Sequence, residues 1–292
     1  MLKEQTVSYT EHIVQRGSFH IYAREYPGEE PTIVLMHGFP DNLHLYDRLL
    51  PWLSPSRRVV TFDFLGWGAS DKPAGYPYTA TNQVGDLDAV IEQLHLRQVV
   101  LVVHDASGPP AIDWALAHPD RVAALVLLNT YYNAMPTLRP PEAILLFSTP
   151  LVRNVARAVS KAFHNWLFRK LYEWQVGRFM REAEDREEFL PLLYDQFAAT
   201  PSTQPAFFRL NEDLLFTVRD RMKRIPQMNA FRPPVRIIFG ASDPYLNAGV
   251  ARRFHELFPT SELFLLPGAY HYVQIDEPEQ VAHLLLSTPR AA

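Results

Sequence analysis

Four short stretches gather residues able to make and break bonds: His37-Gly38-Phe39-Pro40, Val103-His104-Asp105-Ala106-Ser107-Gly108, Ala241-Ser242-Asp243-Pro244 and Tyr270-His271. Asp105 follows an apolar, β-branched run at 99–103 and precedes a helix-forming run at 111–117, with small residues between them. That places a carboxylate on a strand-to-helix turn, where hydrolases of alternating α/β design present a nucleophile. A carboxylate is ionised near neutral pH, so it can attack without first losing a proton. Asp243 and His271 each follow a later strand-like run. The order nucleophile, acid, histidine is that of the strand–turn–helix hydrolases. Plainer readings stand beside these. Asp105 suits the N-cap of the next helix, Asp243-Pro244 suits an ordinary turn, and His271 follows a Pro-Gly loop that suits the surface. Ser107 lies two residues late for a nucleophile and its flanks do not fit G-x-S-x-G, which argues against a serine esterase. His104, His118 and His255 lack metal-ligand spacing, so no metal is expected. Gly66-Trp67-Gly68 is followed by no Lys-Ser/Thr and is no phosphate cradle.

The positioning elements are legible as alternating strands and helices. Buried strands are expected at 33–36, 59–62, 99–103, 123–128, 235–239 and 261–266, with helices around 46–52 and 83–94 between the first four. Alternation of this kind predicts a mostly parallel sheet covered on both faces. From 134 to 228 the pattern is helical, aromatic and rich in arginine, without a strand-like run. We therefore expect an α/β core from 1–133 and 229–292, with a helical cap from 134–228 over the strand ends where ligands bind. A separate helical bundle away from the site is the alternative.

The 292 residues carry a net charge of −4, which offers no electrostatic case for nucleic acid or an anionic membrane. Cysteine is absent, so disulfides and thiolate chemistry are excluded. The first residues lack the apolar core of a signal peptide, and no run reaches membrane-spanning length, so a cytoplasmic protein is expected. The 25 prolines and the lack of cysteine suit a heat-tolerant protein, and a biased genome accounts for them equally well.

Taken together the chain resembles the α/β-hydrolase superfamily, and within it the epoxide hydrolase and haloalkane dehalogenase branch with an aspartate nucleophile. The resemblance runs from the first strands to Pro278. It rests on the HGxP-like His37-Gly38-Phe39-Pro40, the turn Asp63-Phe64-Leu65-Gly66-Trp67-Gly68, the aspartate turn at Asp105 and the segment His271-Tyr272-Val273-Gln274-Ile275-Asp276-Glu277-Pro278. It implies an α/β-hydrolase fold with an inserted helical cap. It also implies that Asp105 forms an alkyl ester with an sp³ carbon, that His271 activates the water that hydrolyses it, and that Asp243 orients the histidine. By the same resemblance the backbone N–H groups of Phe39 and Ala106 form the oxyanion hole. No cofactor is implied.

The leaving group separates the two enzyme types. An epoxide oxygen needs a proton, supplied in that family from the cap, and Tyr172 is the first candidate, Tyr194 the second and His164 the third. Phe208, in Ala206-Phe207-Phe208-Arg209, stands where a second family tyrosine is expected and cannot donate. A halide is held by N–H side chains beside the nucleophile, and neither Phe39 nor Ala106 supplies one. Val103 before His104, on the other hand, is dehalogenase-like. Phe39, Trp67, Phe147, Phe163, Trp166, Phe168, Trp174, Phe197 and Phe208 supply many apolar surfaces, so the expected substrate is a small apolar epoxide, with water as co-substrate. A dehalogenase-like hydrolase is the alternative, followed by a non-hydrolytic member of the fold. A monomer or homodimer is expected.

Overall fold

The apolar runs form the middle of one eight-stranded sheet in a computed structural model that describes residues 7–162 and 166–289. β3 (Thr32–Met36), β4 (Val59–Phe62), β5 (Val99–Asp105), β6 (Val122–Thr130) and β7 (Val235–Gly240) run parallel and are almost wholly buried, as strands covered by helices on both faces must be. β8 (Ser261–Leu266) continues the parallel set at one edge. Two strands at the other edge were not expected from the sequence. β1 (Thr10–Arg16) and β2 (Phe19–Tyr26) form an antiparallel hairpin, and β2 also pairs antiparallel with β4. β1 is mostly exposed, so it has no apolar run to announce it. The order across the sheet is β1-β2-β4-β3-β5-β6-β7-β8.

α1 (Ala80–Gln93) starts at Thr79, whose hydroxyl accepts from Asn82 N–H as an N-cap should. α2 (Gly108–Ala117) leaves the Asp105 turn and is buried along most of its length. The helix expected over 46–52 is instead a 3₁₀ turn, Leu43–Tyr46, and one helical turn, Leu50–Leu53. Pro51 has no N–H with which to continue the preceding turn.

Between β6 and β7 the described residues form a helical insert: α3 (Glu142–Ser148), α4 (Pro150–Ala162), α5 (Trp166–Gly177), α6 (Ala183–Ala198) and α7 (Gln204–Asp220). Buried polar bonds pin the insert to the sheet layer. Arg221 pairs with Asp113 of α2, which also accepts from Tyr132. Gln196 of α6 donates to Pro40 O and Asp41 O and accepts from Gly68 N–H. α8 (Ala248–Leu257) and α9 (Pro278–Leu286) complete the layers. Among the described residues no helix is long and apolar enough to cross a membrane.

Candidate active site

Asp105 ends β5 with φ +47°, a left-handed conformation that aspartate tolerates better than most residues. The turn is clamped from below. Ser107 accepts from His104 N–H and donates to Met36 O or His104 O, and is 1% exposed, so its hydroxyl is structural. Two close approaches demand glycine. A Cβ on Gly38 would lie 2.7 Å from Asp105 Cβ, and one on Gly108 would lie 2.1 Å from Thr130 Oγ1. The strand ends and the turn therefore pack too closely for any other residue.

The carboxylate that this turn presents is met by backbone donors. Phe39 N–H lies 3.0 Å from Asp105 Oδ2, and Ala106 N–H is a second donor to the same group. His37 holds the Phe39 loop in place, donating from Nδ1 to Gly38 O and accepting Phe64 N–H on Nε2. Burial pushes the Asp105 carboxyl up, while the charge of His271 and the two N–H donors pull it back.

His271 and Asp243 come together as the sequence order suggests. His271 Nδ1 lies 2.8 Å from Asp243 Oδ2. The other oxygen, Oδ1, accepts from Tyr245 N–H and Leu246 N–H, and Asn129 Nδ2 donates to Oδ2 at 2.8 Å. Burial alone would raise Asp243; the charge and hydrogen bond of His271, with these donors, bring it below the ordinary carboxylate value. Burial alone would lower His271; Asp243, Asp105 and Asp41 outweigh it and raise the imidazole above 6.5. Nδ1 is thereby fixed as the donor to Asp243, which leaves Nε2 as the free basic atom.

Asp105 and His271 line one cavity of about 100 Å³ beneath the insert. Its walls are mostly apolar, with Phe39, Phe147, Phe168, Phe179 and Phe207 among them. The polar exceptions besides the two reacting groups are Tyr131, Arg139, Tyr172, Gln175 and Tyr245. Tyr172 reaches the cavity as expected, its hydroxyl 3.4 Å from Pro40 O. Tyr194 does not: it is buried against Tyr172 and Phe197, with Arg169 over its ring. His164 and Phe163 lie outside the described residues. Phe208 turns away and packs on Phe147 and Phe168, while its neighbour Phe207 faces the cavity. Adjacent helical positions point about 100° apart, which a motif read by eye cannot fix. Trp67 and Phe197 are buried but not in the lining, and Trp166 and Trp174 are exposed.

Sequence reasoning missed Asn129, Tyr131 and Asp41. Asn129 and Tyr131 follow the apolar body of β6, and a strand end of this kind was the available signal. No group of three or more metal-binding side chains occurs among the described residues.

This fold and the aligned strand-end residues define a class, and the chain belongs to the alpha/beta hydrolase fold family, whose model matches residues 31–278. Several relatives match it over about nine-tenths of this chain. The cis-3-alkyl-4-alkyloxetan-2-one decarboxylase of Xanthomonas campestris is 28% identical, over 91% of this chain and 90% of that protein. Haloalkane dehalogenase 2 of Mycobacterium bovis and epoxide hydrolase 3 of Xenopus tropicalis are each 25% identical, over 93% and 91% of this chain and 91% and 73% of theirs. The crystal structure of haloalkane dehalogenase DatA from Agrobacterium tumefaciens superposes with a TM-score of 0.77 at 22% identity, covering 95% of both chains.

Proposed function

We propose that this chain is a hydrolase that opens a carbon–heteroatom bond of an apolar substrate through an alkyl ester on Asp105. One observation carries the reading: Asp105 Oδ2, held by Phe39 N–H, shares an apolar cavity with the Asp243-paired His271. In this reading an Asp105 oxygen attacks an sp³ carbon, and the leaving atom departs with the bonding pair. His271 Nε2 then takes a proton from water, which adds to the Asp105 carbonyl carbon. Phe39 N–H and Ala106 N–H receive the oxyanion, and each such donor is worth about 2.7–4 kcal/mol of barrier. Asp243 orients and stabilises the imidazolium. Residues 134–228 act as a cap domain over a core of 1–133 and 229–292, keeping bulk water from the ester.

The lining favours an epoxide as substrate. Tyr172 and Tyr131 line the cavity, and burial raises both well above 10, so each remains protonated and can donate to a departing oxygen. A halide is the second reading. The dehalogenase relative is covered to 91% of its length against 73% for the epoxide hydrolase, and the similar folds include dehalogenases. With Phe39 and Ala106 beside the nucleophile, a halide would rest on the positive edges of the aromatic rings.

A panel of matched alkyl and aryl epoxides, haloalkanes and oxetan-2-ones tests this. Diol formation supports the epoxide reading, and halide release without diol supports the second. Alkene and carbon dioxide from the oxetan-2-one would replace both with a non-hydrolytic activity.

A further inference from the structure

Asp41 follows the His37-Gly38-Phe39-Pro40 loop and is wholly buried beside the two reacting groups, yet the mechanism above leaves it without a task. Its Oδ1 accepts from Tyr272 O–H at 2.9 Å. Its Oδ2 has no hydrogen-bond partner and faces His104 Nδ1 at 3.9 Å, also without a partner. The state of that ring follows from its other nitrogen. His104 Nε2 lies 3.1 Å from His271 O, a carbonyl that can only accept, so Nε2 carries the hydrogen and Nδ1 a lone pair. An ionised Asp41 would then set two lone pairs against each other in a fully buried site, at a cost of about 1–3 kcal/mol per unsatisfied group. A proton on Oδ2 removes the conflict.

The groups around Asp41 agree with this. From β5 it meets His104 and Asp105, and from the loop after β8 it meets His271 and Tyr272. Tyr46 from the 3₁₀ turn and Tyr172 from α5 also feel its charge. Burial, then the charge of Asp105, lift Asp41 to about 7, while His271 and Tyr272 oppose them. Burial and His271 hold His104 well below the ordinary histidine value, so that ring keeps the hydrogen on Nε2 and does not take a second on Nδ1.

The reaction needs such a group. Ring opening makes an alkoxide that takes up one proton, whereas hydrolysis of the ester with water yields a carboxylate, an alcohol and one proton. Between the two steps one proton is owed. We propose that Asp41 is the proton store of this site: it is protonated on Oδ2 while Asp105 is ionised, yields one proton to the site as the leaving oxygen is protonated, and regains one when Asp105 is freed. The assignment rests on the epoxide reading of the same site. Its direction follows from charge: alkylation removes the Asp105 negative charge, which makes Asp41 easier to ionise. The resulting Asp41 carboxylate then favours the imidazolium that forms on His271.

Two measurements decide it. Aspartate-labelled ¹³C spectra of the full chain follow the Asp41 carboxyl, identified by its loss in Asp41→Glu. Titration near pH 7 in the native protein and at lower pH in Asp105→Asn is expected. An Asp41 already ionised at pH 5, or one unmoved in Asp105→Asn, overturns the proposal. In the second, a single turnover of an epoxide in weakly buffered indicator should show no proton uptake as the ester forms. Asp41→Asn should take up one proton per enzyme and hydrolyse the ester about tenfold more slowly, because His271 loses one of the carboxylates that raise it. Asp41→Glu should restore the native pattern. Equal uptake in native protein and Asp41→Asn also overturns it. If no epoxide alkylates Asp105, the epoxide reading fails, and the titration still decides whether Asp41 holds the proton.

Discussion

At the scale of single residues the account turns on which atom carries a proton. His271 must be neutral to take a proton from water, and its carboxylate neighbours raise it above 6.5. Below that raised value the imidazole is protonated, so ester hydrolysis slows on the acid side while attack by Asp105 continues. Pre-steady-state kinetics should therefore show the covalent intermediate accumulating as pH falls, with turnover recovering above the histidine midpoint. His271→Gln removes the base altogether. Intact-mass measurement should then find the protein heavier by one substrate-derived group, with turnover down by about 10²–10⁴-fold. An unchanged mass would remove His271 from the second step. Asp105, Asp243 and His271 could be proposed from sequence because each follows an apolar strand run. Asn129 also ends an apolar strand run, but its role depends on Asp243, which the loop after β7 brings beside it. Asp41 follows no apolar run of its own, and only its burial against Tyr272 and His104 gives it meaning.

At the scale of elements, the β5–α2 turn sets the direction of the nucleophile. Gly108→Ala would drive a methyl to 2.1 Å from Thr130 Oγ1 and 2.5 Å from Tyr131 O, and backbone cannot easily retreat. Overpacking of this kind should cost about 1–3 kcal/mol in urea unfolding, and turnover should fall further because Asp105 is re-aimed. The central strands were legible because burial on both faces selects unbroken Val, Ile and Leu. The β1–β2 hairpin was not, because its side chains are largely exposed and leave no apolar period. In the helical insert, composition revealed the helices but not their phase, so that Phe207 rather than Phe208 lines the cavity was not legible.

At the scale of the molecule, the insert and the sheet layer must hold a fixed relation for a shared cavity to exist. Arg221 and Asp113 form a buried ion pair across that boundary, with Tyr132 as a second donor. Arg221→Met leaves Asp113 with Arg224, 3.2 Å away, and Tyr132 as its remaining partners, and should cost about 1–3 kcal/mol in chemical denaturation. Double substitution with Asp113→Leu should restore much of that loss. Failure of the restoration would mean the pair does not couple the two layers. The α/β alternation and the long helical insert were readable as chain organisation. The cavity itself depended on long-range packing between them, which no local pattern encodes. The central claim is that Asp105 bonds covalently to substrate carbon. Single-turnover hydrolysis in ¹⁸O-water, followed by proteolysis and peptide mass analysis, tests it most directly. The account predicts ¹⁸O in the peptide that contains Asp105 and unlabelled oxygen in the first product. Label found only in the product, with the Asp105 peptide unchanged, would contradict it.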